Sequence, residues 1–188
     1  EAVLIQMTWP GAPTIYYGDE TGVCGWTDPD SRRTYPWGRE DFELIEFHRY
    51  IIRIPKISPA LRLGSVKPLA AEHGVIAYGR FCKEEGDNNR MAVVINNTFE
   101  DRRISIPVWE IGVTDEEIME RIIYTNERGY NMGKIDLFVC DGKLTLDMEK
   151  TSGMVLRVKK ERGYCYGRTL HCLGFQSDHQ GLLRFTVN

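Results

Sequence analysis

The chain has 188 residues, 42% hydrophobic and 27% charged, with a net charge of -3. That balance supports one or two modest cores and excludes a wholly disordered chain, while the interspersed charges leave no basic field for nucleic acid or an anionic membrane. No apolar run approaches the ~18 residues of a membrane helix, and residues 1–6 lack the basic head of a signal peptide.

The first segment carries Ala2, Val3, Leu4, Ile5 and Met7 and is stopped by Trp9-Pro10-Gly11, which predicts the tail of a helix. It opens at Glu1 inside the apolar pattern with no cap before it, so a truncated start is expected. Pro13-Thr14-Ile15-Tyr16-Tyr17 then reads as a short buried strand bounded by Pro and Gly18, giving the helix, turn, strand rhythm of an α/β unit. Residues 18–38 are rich in Gly, Asp, Pro, Arg and Trp without period, as in an elaborate loop, and loops of that length are often functional. Helical spacing returns over 40–54. Leu44, Phe47, Ile51 and Ile54 form one stripe there, Ile45 and Ile52 flank it, and Pro55 is expected to end or kink the helix.

After Gly64 the hydrophobic period changes to two. Strands are predicted at 75–78, 91–95, 103–106, 143–146 and 154–158, separated by turns such as Asp141-Gly142. In the fourth, Leu144, Leu146 and Met148 face a core and Lys143, Thr145 and Asp147 face water. A helical turn is expected within 114–123, with Thr114 as N-cap and Glu117 at capping-box spacing. Many short strands with turn signals predict an antiparallel sandwich. The tail over 161–188 stays unassigned.

The run Pro10-Gly11-Ala12-Pro13-Thr14-Ile15-Tyr16-Tyr17-Gly18-Asp19-Glu20-Thr21-Gly22, followed by Asp28-Pro29-Asp30-Ser31-Arg32-Arg33 and Pro36-Trp37, closely resembles the last conserved stretch of the alpha-amylase family of glycoside hydrolases. Its DPDxRR wording is similar to the neopullulanase, cyclomaltodextrinase and maltogenic amylase branch. The resemblance covers about residues 1–160. It implies a mainly β chain, in which the last strand and helix of a (β/α)8 barrel occupy residues 1–62 and an antiparallel β-sandwich, domain C, occupies 63–160. The family's catalytic carboxylates lie on earlier strands, in motifs this sequence does not contain. No catalytic residue is therefore expected here, and the chain alone should be inactive.

Asp28 and Arg32 match family positions that hydrogen-bond a glucose hydroxyl on the donor side of the cleavage point, and an acceptor beside a five-donor fork suits hydroxyls. The same two residues could equally form an internal ion pair that shapes the loop. Trp26 and Trp37 are substrate-binding candidates because their faces could stack on a pyranose, or could pack the loop instead, as could Tyr35. Asp19 and Glu20 are adjacent at a strand end and point apart. They therefore cannot readily flank one bond at the ~5–5.5 Å separation of a retaining pair, and pairing with a barrel arginine or capping of loop amides is expected. The five cysteines lack a CxxC pair, and Cys165, His171, Cys172 and His179 lack zinc-finger spacing, so reduced thiols and no metal site are expected. His48 and His73 read as structural or solvated, and residues 83–87 as a solvated hairpin tip.

Two functions follow. In the first, the parent protein hydrolyses α-glucosidic linkages and this chain supplies a donor-side loop and domain C. In the second, the sandwich is a non-catalytic module that binds glucan or stabilises a barrel. The implied partner is an α-glucan or maltooligosaccharide, with no nucleic acid and no membrane. No cofactor is implied for this chain, though the family admits calcium in a full-length parent. The odd cysteine count leans toward a cytoplasmic location. Barrel surface left bare over 1–62 predicts poor solubility or self-association, compatible with a homodimer.

Overall fold

The computed structural model describes residues 1–82 and 89–159. The unassigned tail, the four Cys and His residues within it and the hairpin tip at 83–87 lie outside the described residues. Among the described residues three α-helices precede nine strands: α1 (Ala2–Thr8), α2 (Phe42–Ile57) and α3 (Pro59–Leu63), then β1 (Ser65–Glu72), β2 (Val75–Phe81), β3 (Arg90–Asn96), β4 (Arg102–Ile106), β5 (Ile118–Asn126), β6 (Gly129–Asn131), β7 (Ile135–Phe138), β8 (Leu144–Met148) and β9 (Ser152–Val158).

The strands form two antiparallel sheets. The larger runs β1-β2-β3-β9-β5, with β6 and β7 both pairing the outer side of β5; the smaller is β4-β8. Ile104, Ile106, Leu144, Leu146 and Met148 of the small sheet share one core with Ala77, Ala92, Val94, Met119, Met154 and Leu156 of the large one. The alternation read in 143–148 is present, with buried Leu144, Leu146 and Met148 and exposed Thr145 and Asp147. The mostly antiparallel, two-sheet architecture is the β-sandwich that the turn spacing predicted.

The other face of the large sheet is not solvated. Tyr78, Met91, Val93, Ile95, Ile123 and Val155 form a second core with Leu4 and Met7 of α1, Phe47, Ile51 and Ile54 of α2, and Ala60 and Leu61 of α3. Close docking of α1 requires Gly153, because a Cβ there would stand 2.7 Å from Leu4 Cδ1 and 2.8 Å from Ile95 Cδ1. Thr8, the last residue of α1, is buried and shares a 2.6 Å hydrogen bond with the Tyr78 hydroxyl.

Burial on both faces explains what the strand pattern did not reveal. β5 is buried or half-buried at every position, so it has no period of two, and the short charged-apolar mixture of 114–123 reads instead as a helical turn. Only its first turn is helix-like: Thr114 N–H donates to Glu117 Oε2 at 2.9 Å and Glu117 N–H to the Thr114 carbonyl at 3.1 Å, after which the chain extends as β5.

Three further expectations are corrected. Pro13–Tyr17 carries no strand ladder; Tyr16 and Tyr17 are 55% and 45% exposed, because a strand needs neighbours to complete its hydrogen bonds and the described residues offer it none. Pro55 does not end α2, which continues to Ile57 and stops at Ser58, whose hydroxyl accepts from Leu61 N–H and so caps α3. A proline removes one donor from the last turn without preventing two more helical residues. Cys24 and Cys82 are free thiols as expected, whereas Cys140 is disulfide-bonded, a departure from the all-thiol reading.

Helix α2 is capped at its start by Asp41, whose Oδ1 accepts from Leu44 N–H at 3.0 Å. Asp41→Ala should therefore lower stability by about 1 kcal/mol, read as a shifted urea midpoint at unchanged slope. His48, on the same helix, is buried; its Nδ1 lies 2.8 Å from the Leu44 carbonyl, which makes it structural rather than solvated.

Candidate functional site

The chain leaves α1 through Trp9, which packs edge-on against Tyr78 with ring centroids 5.1 Å apart. It then turns at Gly18, whose φ of 94° favours glycine. The expected amide-capping role of Asp19 and Glu20 is present: Asp19 Oδ2 accepts from Tyr16 N–H at 3.2 Å and Glu20 Oε2 from Gly18 N–H at 3.0 Å. Both carboxylates are thereby committed to shaping the short 3-10 turn Asp19–Thr21.

Two Asp–Arg pairs organise the next segment. Arg32 donates from Nε to Asp28 Oδ1 and from Nη2 to Asp28 Oδ2, both at 2.7 Å, a bidentate fork on side chains that remain 63% and 65% exposed. Arg33 donates to Asp30 Oδ1 from Nη2 at 2.7 Å and from Nε at 3.0 Å. The other oxygen of Asp30 accepts from Trp26 N–H at 3.0 Å. The Arg33 hydrogen bond, with help from the Trp26 amide, holds the Asp30 carboxyl below its ordinary range. The Arg33 carbonyl in turn accepts from the Tyr17 hydroxyl at 2.9 Å, tying the loop back to the segment before it.

The sequence-predicted residues thus divide. Asp28 and Arg32 are joined directly. Trp26 is fixed through its backbone by Asp30 and presents an indole that is 87% exposed. Trp37, 80% exposed, packs on Tyr35 with centroids 4.5 Å apart on the returning limb. Partial burial, with the nearby Glu20 and Glu40 charges, raises the Tyr35 hydroxyl pKa. Asp30 and Arg33 were not singled out by the sequence reading. The signal was available in the second Asp-to-Arg spacing of the same motif, but that spacing alone does not say which carboxylate supports a backbone amide.

Between α1 and α2 an apolar groove of about 400 Å³ is lined by Met7, Pro13, Ile15, Ile52 and Pro55, with Lys56 and Arg62 at its border. Near it Ile57 and Leu63 are 62% and 72% exposed. Among the described residues no group of three His, Cys, Asp or Glu side chains is arranged to hold a metal ion.

The described residues thus form a two-sheet antiparallel β-sandwich with helices on its outer face, preceded by a loop of aromatic residues and Asp–Arg pairs. No family model matches the chain. Among known proteins it is 34% identical to the amylopullulanase of Thermoanaerobacter thermohydrosulfuricus over 82% of this chain and 10% of that enzyme. It is 42% identical to a cyclomaltodextrinase of a Bacillus species over 51% of this chain and 17% of that enzyme. A crystal structure of an Anoxybacillus alpha-amylase shares the fold at a TM-score of 0.69 and 21% identity, covering 86% of this chain and 32% of that one. The chain is a homologue of alpha-amylase family glycoside hydrolases, as its loop motif implied, and it spans only a small part of the length of the curated relatives it matches.

Proposed function

We propose that the chain is the C-terminal part of a retaining alpha-amylase-type glycosidase acting on α-glucosidic linkages of starch-like glucans. In this reading residues 1–62 close the catalytic barrel, 63–160 form domain C, and the catalytic carboxylates are supplied from outside the chain. The exposed Asp28–Arg32 fork carries the reading: it sits in an ordered loop flanked by two indoles, with donors and acceptors facing solvent, the arrangement that sugar hydroxyls require. Its internal pairing and sugar contact are compatible, because a bidentate pair leaves further lone pairs and N–H groups free to bond a hydroxyl. The apolar groove between α1 and α2 is then the seat of the rest of the barrel.

The test is release of reducing sugar from cyclodextrin, pullulan and starch by this chain and by the product of its full reading frame. Sugar released only by the longer product is expected; activity of the chain alone would overturn the placement of the carboxylates. Within the longer product, Asp28→Ala should lower kcat/KM on maltooligosaccharides by about tenfold, the loss of one charge-assisted hydrogen bond to the transition state. An unchanged kcat/KM would reduce the fork to loop architecture.

A further inference from the structure

Trp26 and Trp37 both leave their indoles largely bare, yet they are held by different means. Trp37 leans on the Tyr35 ring, with centroids 4.5 Å apart. Trp26 is 87% exposed, so the direction of its side chain follows from its backbone, whose N–H donates to Asp30 Oδ2 at 3.0 Å. The acceptor is itself fixed. Asp30 Oδ1 takes two hydrogen bonds from Arg33, Nη2 at 2.7 Å and Nε at 3.0 Å, and the Arg33 carbonyl takes one from the Tyr17 hydroxyl at 2.9 Å. The backbone between closes on itself as well: Asp30 N–H donates to the Thr27 carbonyl at 2.8 Å and Arg32 N–H to the Pro29 carbonyl at 3.0 Å. Gly25 permits the two limbs to meet, because a Cβ there would stand 2.9 Å from the Asp30 carbonyl oxygen and from Ser31 N, and closer still to Ser31 Cα.

This construction exceeds what the stability of a loop asks for. The Arg33 and Asp30 side chains are 56% and 45% exposed, and an exposed ion pair contributes little to folding. What the pair fixes is geometry. The braced unit spans 25–33 and contains the Asp28–Arg32 fork, which shares no atom with the Asp30–Arg33 pair, so one short stretch carries both a fork for hydroxyls and an anchored indole. An exposed aromatic that must be ordered on binding loses part of its contact energy to that ordering, and a backbone fixed beforehand avoids part of the loss.

We propose that Asp30, clamped by Arg33, is a positioning residue that acts through Trp26: it holds the indole beside the Asp28–Arg32 fork and so sets the advantage of long maltooligosaccharides over short ones. The indole face covers a pyranose ring next to the one that the fork bonds, a contact only a longer chain makes. The assignment rests on the glycosidase reading, and the experiment separates the two. The product of the full reading frame and its Asp30→Ala, Trp26→Ala and double variants are assayed on maltotriose and maltohexaose. Each single variant should lose about tenfold in kcat/KM on maltohexaose, through KM, with little change on maltotriose, and the double variant should lose no more than Trp26→Ala. Asp30→Asn, whose amide oxygen can still accept from the Trp26 N–H, should recover part of the loss. Gly25→Ala leaves every side chain of the brace in place but drives the limbs apart, and should reproduce it. Losses that multiply in the double variant, that are equal on the two substrates, or that are absent overturn the positioning role and leave the glycosidase intact. If the protein releases no sugar, the glycosidase reading falls, and the dissociation constant of maltohexaose across the same proteins decides the brace: weakening that does not add in the double variant keeps it, and additive weakening or no binding overturns it.

Discussion

Arg80→Ala is expected to lose about 3–5 kcal/mol of stability, a large part of the ~5–15 kcal/mol a domain possesses. Arg80 is 1% exposed and, among the described residues, hydrogen-bonds to no carboxylate. It donates instead to four backbone carbonyls: Thr8 from Nη1 at 2.7 Å, Leu61 and Gly64 from Nη2 at 3.0 and 2.9 Å, and Ser65 from Nε at 3.3 Å. Thr8 ends α1 and Leu61 lies in the single turn of α3, so the guanidinium satisfies carbonyls that helix ends leave without partners and stands at the negative end of both dipoles. Burial lowers its pKa from the ordinary value, yet a guanidinium stays charged at any working pH. Alanine strands those acceptors in a space too apolar to hydrate well. Arg80→Lys, with three donors from one point, should recover part of the loss. Equilibrium urea unfolding of the three proteins decides it, and an alanine variant within 1 kcal/mol of wild type would show that water replaces the guanidinium freely.

Glu120→Gln should remove a pH dependence as well as stability. Glu120 is 3% exposed on β5; Arg157 of β9 donates to its Oε2 from Nε at 2.8 Å and Nη2 at 2.5 Å, while Lys159 and Lys134 stand 3.4 and 3.8 Å away. Burial raises the carboxyl pKa, but the Arg157 hydrogen bonds and charge, followed by the two lysines, outweigh it, and the net shift is downward from 4.5. A carboxylate whose folded pKa lies below its unfolded one contributes stability that is fully present above the unfolded value. That contribution is lost as pH falls through the folded value. The wild-type urea midpoint should therefore fall from about pH 5 downward, and the glutamine variant should start lower by about 2–3 kcal/mol and fall less steeply. Parallel pH profiles for the two proteins would assign the acid sensitivity elsewhere.

The sequence was legible where one face of an element is wet. β8 faces water on one side, and its alternation gave both strand and orientation; α2 showed its stripe for the same reason, and Phe47, Ile51 and Ile54 are buried where the spacing put them. The reading failed where both faces are dry or where partners are remote. β5 lost its period to burial, and Glu120, a buried charged residue, hid its strand character behind the helical turn expected within 114–123. β1, β6 and β7 are edge strands with almost no buried positions and were not read at all. Arg80 sits in a hydrophobic run, and nothing in 75–81 tells that its partners are carbonyls about 15–72 residues distant. In the loop the residue types and the Asp28–Arg32 match were legible because they form a local motif. The supporting role of Asp30 and Arg33 depends on the fold of the loop itself.

The double-sided large sheet also bears on how such a protein could be inherited. The outer face of β2, β3 and β9 carries a second apolar core, covered by residues that precede it in the chain, from Leu4 to Leu61. A recombination event that transferred the strands alone would deliver a sandwich with one raw hydrophobic flank. The smallest piece that can move between genes and fold in its new host therefore starts upstream of Leu4 and carries the Trp26–Trp37 loop with it.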